Sequence, residues 1–165
     1  LKIDVAEYTA ALKGEEELQK FCAPARDEML KSDVVGLVEA LSSLLPPVDK
    51  EALLQSDEFG QYMVDVTCEA LKVSADGWVD DSLAFVKPWG FEMSEIKVPV
   101  ILYQGTEDKM VPYAHGEWLA KHMPQEKLKS HLLPGQGHIS IFVGQCDSII
   151  DEFLELAKVT PAASN

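Results

Sequence analysis

The sequence predicts an α/β protein: a helical front followed by a parallel strand–helix–strand–helix unit. Three observations carry this expectation. Val98–Tyr103 is a nearly unbroken apolar run of strand length, the pattern of a parallel strand covered on both faces. Leu128–Leu133 is a second, more alternating strand segment. Tyr113–His122 reads as a helix between the two, and Cys146–Lys158 as a helix after them, which is the order of a parallel α/β unit. Residues 1–86, by contrast, show apolar side chains at helical spacing. The expected organisation is therefore helical over 1–86, strand–helix–strand–helix over 87–158, and a small polar, flexible tail at 159–165.

Within the front, Val5, Tyr8 and Leu12 share one helical face, with Glu15–Glu17 at solvated positions. Pro24 is expected to restart the chain before Ala25–Leu30. Ser32 or Asp33 can cap a helix over Val34–Leu41, and Pro46-Pro47 should end it, because proline lacks the donor and clashes with the preceding turn. Asp49 is read as the cap of a short helix through Leu54. The next helix runs from Asp57 to about Val73 with Phe59, Met63, Val66 and Ala70 inward, and the last from Asp76 to Phe85. Beyond Tyr113–His122, Pro124 supplies the stop. In the final helix Ile149, Ile150, Phe153, Leu154 and Ala157 form the apolar stripe.

A chain of 165 residues can bury roughly 70% of its unfolded surface, enough for a core. Its 14 Lys and Arg against 28 Asp and Glu give a net charge of −14. Such a surface repels phosphate backbones and anionic headgroups, so nucleic acid and membrane are not expected partners. No apolar run approaches the roughly 20 residues a membrane span needs, and the start, Leu1-Lys2-Ile3-Asp4, has no signal-peptide pattern. Cys22, Cys68 and Cys146 are too few and too scattered for a disulfide framework or a zinc site. They fit a reducing, cytoplasmic setting. No Gly-rich phosphate loop precedes a helix, so no cofactor is implied.

The chemistry-bearing residues follow the two strands. After the first comes Gly105-Thr106-Glu107-Asp108-Lys109-Met110-Val111-Pro112; after the second comes Gly135-Gln136-Gly137-His138. Together with Trp89-Gly90-Phe91 and Ile96-Lys97-Val98-Pro99-Val100, these segments resemble the C-terminal portion of an α/β-hydrolase, parallel strands with flanking helices. Residues 1–86 resemble the helical cap, or lid, that precedes it in that family. The resemblance covers roughly residues 30–157. It implies a Ser-Asp-His triad in which Asp108 orients the histidine and His138 takes and returns a proton. The Val111-Pro112 pair after Asp108 fits that pattern, and Gly135 and Gly137 let the backbone turn sharply before the histidine.

Other residues fit plainer roles. Glu107 is the rival carboxylate, expected to point away from the cleft. His115, His122 and His131 read as ordinary histidines, and no metal site is expected. Cys146 reads as a packed thiol at a helix start. Asp80 and Asp81 read as first-turn acids favoured by the helix dipole. Trp78, Phe85, Trp89 and Phe91 are either packing beneath the cap or an apolar wall of a substrate pocket, with Trp89 the candidate substrate contact.

The nucleophile is missing: no G-x-S-x-G occurs. Ser74 follows a helical segment and Ser140 lies too near His138 in the chain to serve. Two parallel strands also leave an unpaired edge. The expectation is thus a fragment or C-terminal half of a serine-type α/β-hydrolase that acts on a small-molecule ester or amide. It would be completed by a complementing N-terminal segment or by homo-oligomerisation through the sheet edge. Prolyl aminopeptidase-like, esterase and epoxide-hydrolase-like chemistry share this half, and in the last an upstream Asp would attack. The alternative is a non-catalytic interaction module, a pseudoenzyme remnant of the same fold.

Overall fold

The computed structural model describes the backbone of residues 2–159 and the side chains of residues 5–157. It divides into two compact units, one ending at Phe91 and the other starting at Glu92. Among the described residues there are eight α-helices and only two strands. The expected core of parallel strands covered by helices is therefore corrected to a mostly helical protein with one two-stranded parallel sheet. The physical reason lies in the single long apolar run. Its residues Val100–Tyr103 are half-buried rather than covered on both faces, and every other apolar segment except Leu128–Leu133 follows helical spacing.

The first unit holds α1 (Lys2–Lys13), α2 (Glu15–Met29), α3 (Val34–Ala40), α4 (Pro47–Leu54), α5 (Asp57–Leu71) and α6 (Asp76–Phe85). Helices α1, α2 and α6 close around Ala11, Leu18, Cys22, Ala75 and Val79. Val5 and Leu12 are exposed and Tyr8 partly so, which corrects the expected inward face of α1: the small Ala11 is what packs. Glu7 of α1 ties this layer together, accepting from Trp78 Nε1 at 2.8 Å and Ser82 Oγ at 2.7 Å.

Pro24 does not restart the chain but lies inside α2. Leu18 and Cys22, fully buried just before it, hold the helix through the missing donor. Arg26 then reaches across to α5, donating from Nε to the Leu71 carbonyl at 2.7 Å and from Nη2 to that of Lys72 at 2.9 Å. A cation on terminal carbonyls satisfies acceptors that have no intrahelical partner.

Asp33 caps α3, its side chain accepting from the Gly36 N–H at 2.8 Å. Pro46-Pro47 opens α4 instead of closing α3, which has already ended at Ala40. Proline's fixed φ suits a first helical turn, where no donor is needed. Asp49 is accordingly a buried first-turn residue, not a cap. Ser56 caps α5 through the Phe59 N–H. The buried positions of α5 are Gly60 and Val64, whereas Val66 and Ala70 are exposed. The stripe is rotated because Gly60 is what allows close approach: a Cβ there would lie 2.8 Å from Val34 Cγ1. Asp80 and Asp81 sit exposed beyond the first turn of α6, where only Asp76 is a first-turn acid.

The second unit begins with a 3-10 turn at Met93–Glu95, followed by β1 (Val100–Gly105), α7 (Tyr113–His122), β2 (Leu128–Leu133) and α8 (Ile139–Val159). β1 and β2 are parallel, with Val100 opposite Leu128 and Gly105 opposite Leu133. The ladder starts at Val100, whose N–H donates to the Lys127 carbonyl at 2.8 Å, because Pro99 has no donor and Val98 is exposed. α8 starts at Ile139, not Cys146: Ile139, Ser140 and Ile141 are buried and seat its first turn directly after the loop. Cys146 lies mid-helix, half-buried. Of the expected stripe on α8, Ile150, Phe153, Leu154 and Ala157 are exposed. No helix among the described residues is long and apolar enough to cross a membrane. The tail expected at 159–165 lies, beyond Val159, outside the described residues.

Candidate functional site

Parallel strands present the loops that leave them at one end of the sheet, and the two loops here hold the candidate residues Asp108 and His138. After β1 the chain turns back on itself: the Asp108 N–H points to the Gly105 carbonyl at 3.4 Å, and the Glu107 N–H donates to the Gln136 carbonyl of the other loop at 2.8 Å. After β2, Thr106 Oγ1 accepts from the Gly135 N–H at 2.9 Å, and Gly135 makes the turn at φ 73°. The two loops are thus stitched together by one backbone contact and one to the Thr106 side chain.

On this frame the Asp108 carboxylate and the His138 imidazole meet, Oδ2 to Nδ1 at 2.9 Å. The acid is nearly enclosed, its side chain 4% exposed, while the imidazole is 46% exposed. Oδ1 of Asp108 accepts from the Met110 N–H at 2.9 Å and the Val111 N–H at 2.8 Å. Oδ2 also accepts from Gln104 Nε2 at 3.1 Å. Burial pushes the Asp108 carboxyl up, but the hydrogen bond and charge of His138, with the Val111 and Met110 N–H groups, outweigh it and hold the group below its ordinary value. An ionised carboxylate is acceptor-only. Nδ1 of the histidine is therefore the donor, and Nε2 is the nitrogen on which the neutral ring exchanges protons.

Glu107 is exposed and contributes its backbone, so the rival carboxylate stays off the imidazole. Ser140 Oγ, buried beside the pair in sequence, accepts from the Gly137 N–H at 2.8 Å. Ser74 accepts from the Asp76 N–H ahead of α6, in the first unit. Trp89 also belongs to the first unit, where it stacks on Phe91 with ring centres 5.9 Å apart. The other two members of the aromatic group go elsewhere: Trp78 packs edge-on against Phe21, and Phe85 against Tyr8.

Of the remaining histidines, His115 is exposed, and His122 and His131 make local contacts. His122 sits with Nδ1 2.7 Å from the Trp118 carbonyl and stacks on that indole. His131 stacks on Tyr103 and pairs with Glu152 at 3.0 Å; Lys129 pairs with the same carboxylate. A cavity of about 480 Å³ opens at the start of the strands, lined by Val100, Leu128, Lys129, Glu152 and Leu156 among others. It lies at the opposite end of the sheet from Asp108 and His138. Among the described residues no group of three His, Cys, Asp or Glu side chains gathers as metal ligands.

Gln104 and Thr106 are site residues that the sequence reading passed over. Gln104 had a signal, being the one amide in an otherwise apolar run, next to the glycine that ends it. Thr106 had none beyond its place between Gly105 and Asp108. No protein-family model, curated protein or solved structure matches this chain.

Proposed function

We propose that this chain supplies the acid and the histidine of a Ser-Asp-His centre for ester or amide hydrolysis, the chemistry that the resemblance to α/β-hydrolases implies. The observation that supports it is the 2.9 Å contact between a buried, ionised Asp108 and a half-exposed His138. Asp108 holds the ring as the Nδ1–H tautomer. His138 Nε2 takes the proton of an incoming hydroxyl and returns it to the leaving group. The attacking serine comes from a complementing segment, and an acyl-enzyme follows. If that segment presents an aspartate instead, His138 activates water, as in epoxide-hydrolase-like chemistry. The substrate is a small molecule rather than nucleic acid, in keeping with the charge of −14. Three free thiols fit a cytoplasmic setting.

The test uses p-nitrophenyl acetate and the 165-residue chain, in which, with no serine supplied, His138 Nε2 acts as the base that activates water. Turnover above buffer that falls by about 10²-fold or more in His138→Ala is the expected result, the usual contribution of a positioned base. Equal rates for the two proteins overturn the reading.

A second reading, a non-catalytic interaction module, is favoured by one observation. Phe142, Val143, Ile150, Phe153 and Leu154 on α8 are all exposed, and large apolar side chains rarely gather on a surface without a partner. β1, paired only with β2 among the described residues, offers a sheet edge to a second copy. Sedimentation that shows self-association lost in Phe153→Glu, with ester turnover at background, selects this reading.

A further inference from the structure

We infer that Gln104 is a positioning residue: its amide clamps the Asp108 carboxylate in the orientation that receives the His138 Nδ1–H, and Gly116 of α7 sets where that amide lies. The use of this clamp in proton transfer rests on the proposed function; its geometry does not.

Gln104 is the next-to-last residue of β1 and is 6% exposed. Its Nε2 lies 3.1 Å from Asp108 Oδ2 and 3.1 Å from the Val111 carbonyl, with the Gly105 carbonyl further off at 3.4 Å. All three neighbours are acceptors, which assigns the nitrogen to this side of the amide. An amide has two N–H bonds, and they fall on the carboxylate and on Val111. Val111 in turn donates its own N–H to the other carboxylate oxygen at 2.8 Å. Gln104, Asp108 and Val111 therefore form a closed ring of hydrogen bonds.

That ring does something the backbone donors alone do not. The Met110 and Val111 N–H groups fix Oδ1, but leave Oδ2 free to swing about it. The Gln104 amide stops the swing at the oxygen that faces His138 Nδ1. The clamp is itself braced from α7. A Cβ at Gly116 would lie 2.5 Å from Gln104 Cγ, 2.8 Å from its Cβ and 3.0 Å from its Oε1. Any side chain at position 116 displaces the amide, so the glycine is needed for more than close packing of α7 on β1.

Gln104→Met separates positioning from packing, because it keeps the length and volume of the side chain and removes both donors. The readout is the tautomer of His138 in the uniformly ¹⁵N-labelled full chain, taken from long-range proton–nitrogen spectra above the ring's titration. The resonances are assigned by their loss in His138→Gln. In the parent chain the Nδ1–H form is expected to predominate. In folded Gln104→Met the Nε2–H form, the one imidazole prefers in water, overtakes it. Gly116→Ala gives the same change from outside the site and decides the matter should Gln104→Met not fold, as judged by circular dichroism. An undiminished Nδ1–H form in either folded variant overturns the assignment. Since the tautomer is read without turnover, a chain with no ester hydrolysis but with this tautomer change loses the proposed function and keeps the clamp. The converse result removes the clamp and leaves the function standing.

Discussion

Gly105 and Gln136 touch backbone to backbone: a Cβ on Gly105 would lie 2.1 Å from the Gln136 carbonyl oxygen and 2.5 Å from its carbonyl carbon. The end of β1 and the loop after β2 approach this closely only because position 105 has no side chain. The neighbouring Glu107 N–H uses the same carbonyl at 2.8 Å. Gly105→Ala must therefore push the two loops apart, and with them the residues that bring Asp108 to His138. The expected destabilisation is at or above the top of the usual overpacking range of about 1–3 kcal/mol. Urea melts compare it with Gly144→Ala on α8, where a Cβ meets nothing within 4 Å and the change should be neutral or better.

Asp108 gives the fold a defined response to acid. Its folded-state pKa lies below the ordinary carboxyl value, with the His138 hydrogen bond the largest of the lowering causes. A group depressed on folding contributes stability that is fully present above its unfolded value, about 3.9 for Asp, and is lost as pH falls through the folded value. Stability should therefore drop on acidification below about pH 4. In Asp108→Asn this part of the slope disappears, because the amide does not titrate. Chemical denaturation at a series of pH values from neutral to acid measures both slopes. An unchanged acid slope in the variant would count against the buried, ionised carboxylate. In the ester assay, Asp108→Asn should fall toward the His138→Ala rate, since the amide no longer enforces the Nδ1–H tautomer.

Glu7 holds α1 to α6 with one carboxylate oxygen shared by Trp78 Nε1 and Ser82 Oγ. Ser82 Oγ keeps the Trp78 carbonyl at 2.9 Å as a second acceptor, whereas the half-buried Trp78 Nε1 loses its partner with the carboxylate. Glu7→Ala is expected to cost about 1–3 kcal/mol, the range for leaving a buried donor unsatisfied. Glu7→Gln keeps an acceptor oxygen and should recover most of it. The Trp78 indole is a built-in probe of the same contact, and its emission should shift to the red in Glu7→Ala only.

How far the sequence could be read depended on what punctuates each segment. Asp76, Pro112 and Pro124 sit at or next to element ends, and α6, α7 and β2 run over the residues their patterns predict. Pro24 and Pro46-Pro47 misled because proline marks a helix start as readily as a stop, and packing of Leu18 and Cys22 overrides the lost donor. Both strands were legible, but not how they are covered: an apolar run fixes that a strand exists, not which neighbours lie on its faces. Asp108 and His138 could be brought together on paper because parallel strands present their outgoing loops at one end. Gln104 could not, since the direction of its amide is set by α7 packing through Gly116, a contact that no local pattern encodes.

The three cysteines should separate by reactivity, and the separation reports on the core of the first unit. Cys22 is fully buried among Ala11, Leu18, Ala75 and Val79. Burial, with Glu7 adding to it, pushes its thiol up to about 11. The thiolate is the reactive form, so at neutral pH Cys22 is both shielded and protonated. Cys68 and Cys146 are half-buried. Titration of the native chain with a disulfide reagent should give two accessible thiols, with Cys22 reacting only at the rate of unfolding. Low urea concentrations should accelerate Cys22 in step with the loss of Trp78 packing, because Trp78 lies against the same cluster. In Glu7→Ala two effects act in the same direction. Removing the carboxylate lowers the thiol's pKa, while the loosened α1–α6 contact opens the core more often. Both speed labelling of Cys22, so that variant should show the fastest Cys22 reaction of the series. A native-state rate for Cys22 equal to that of Cys68 would mean that the packing of α1, α2 and α6 around it does not persist in solution.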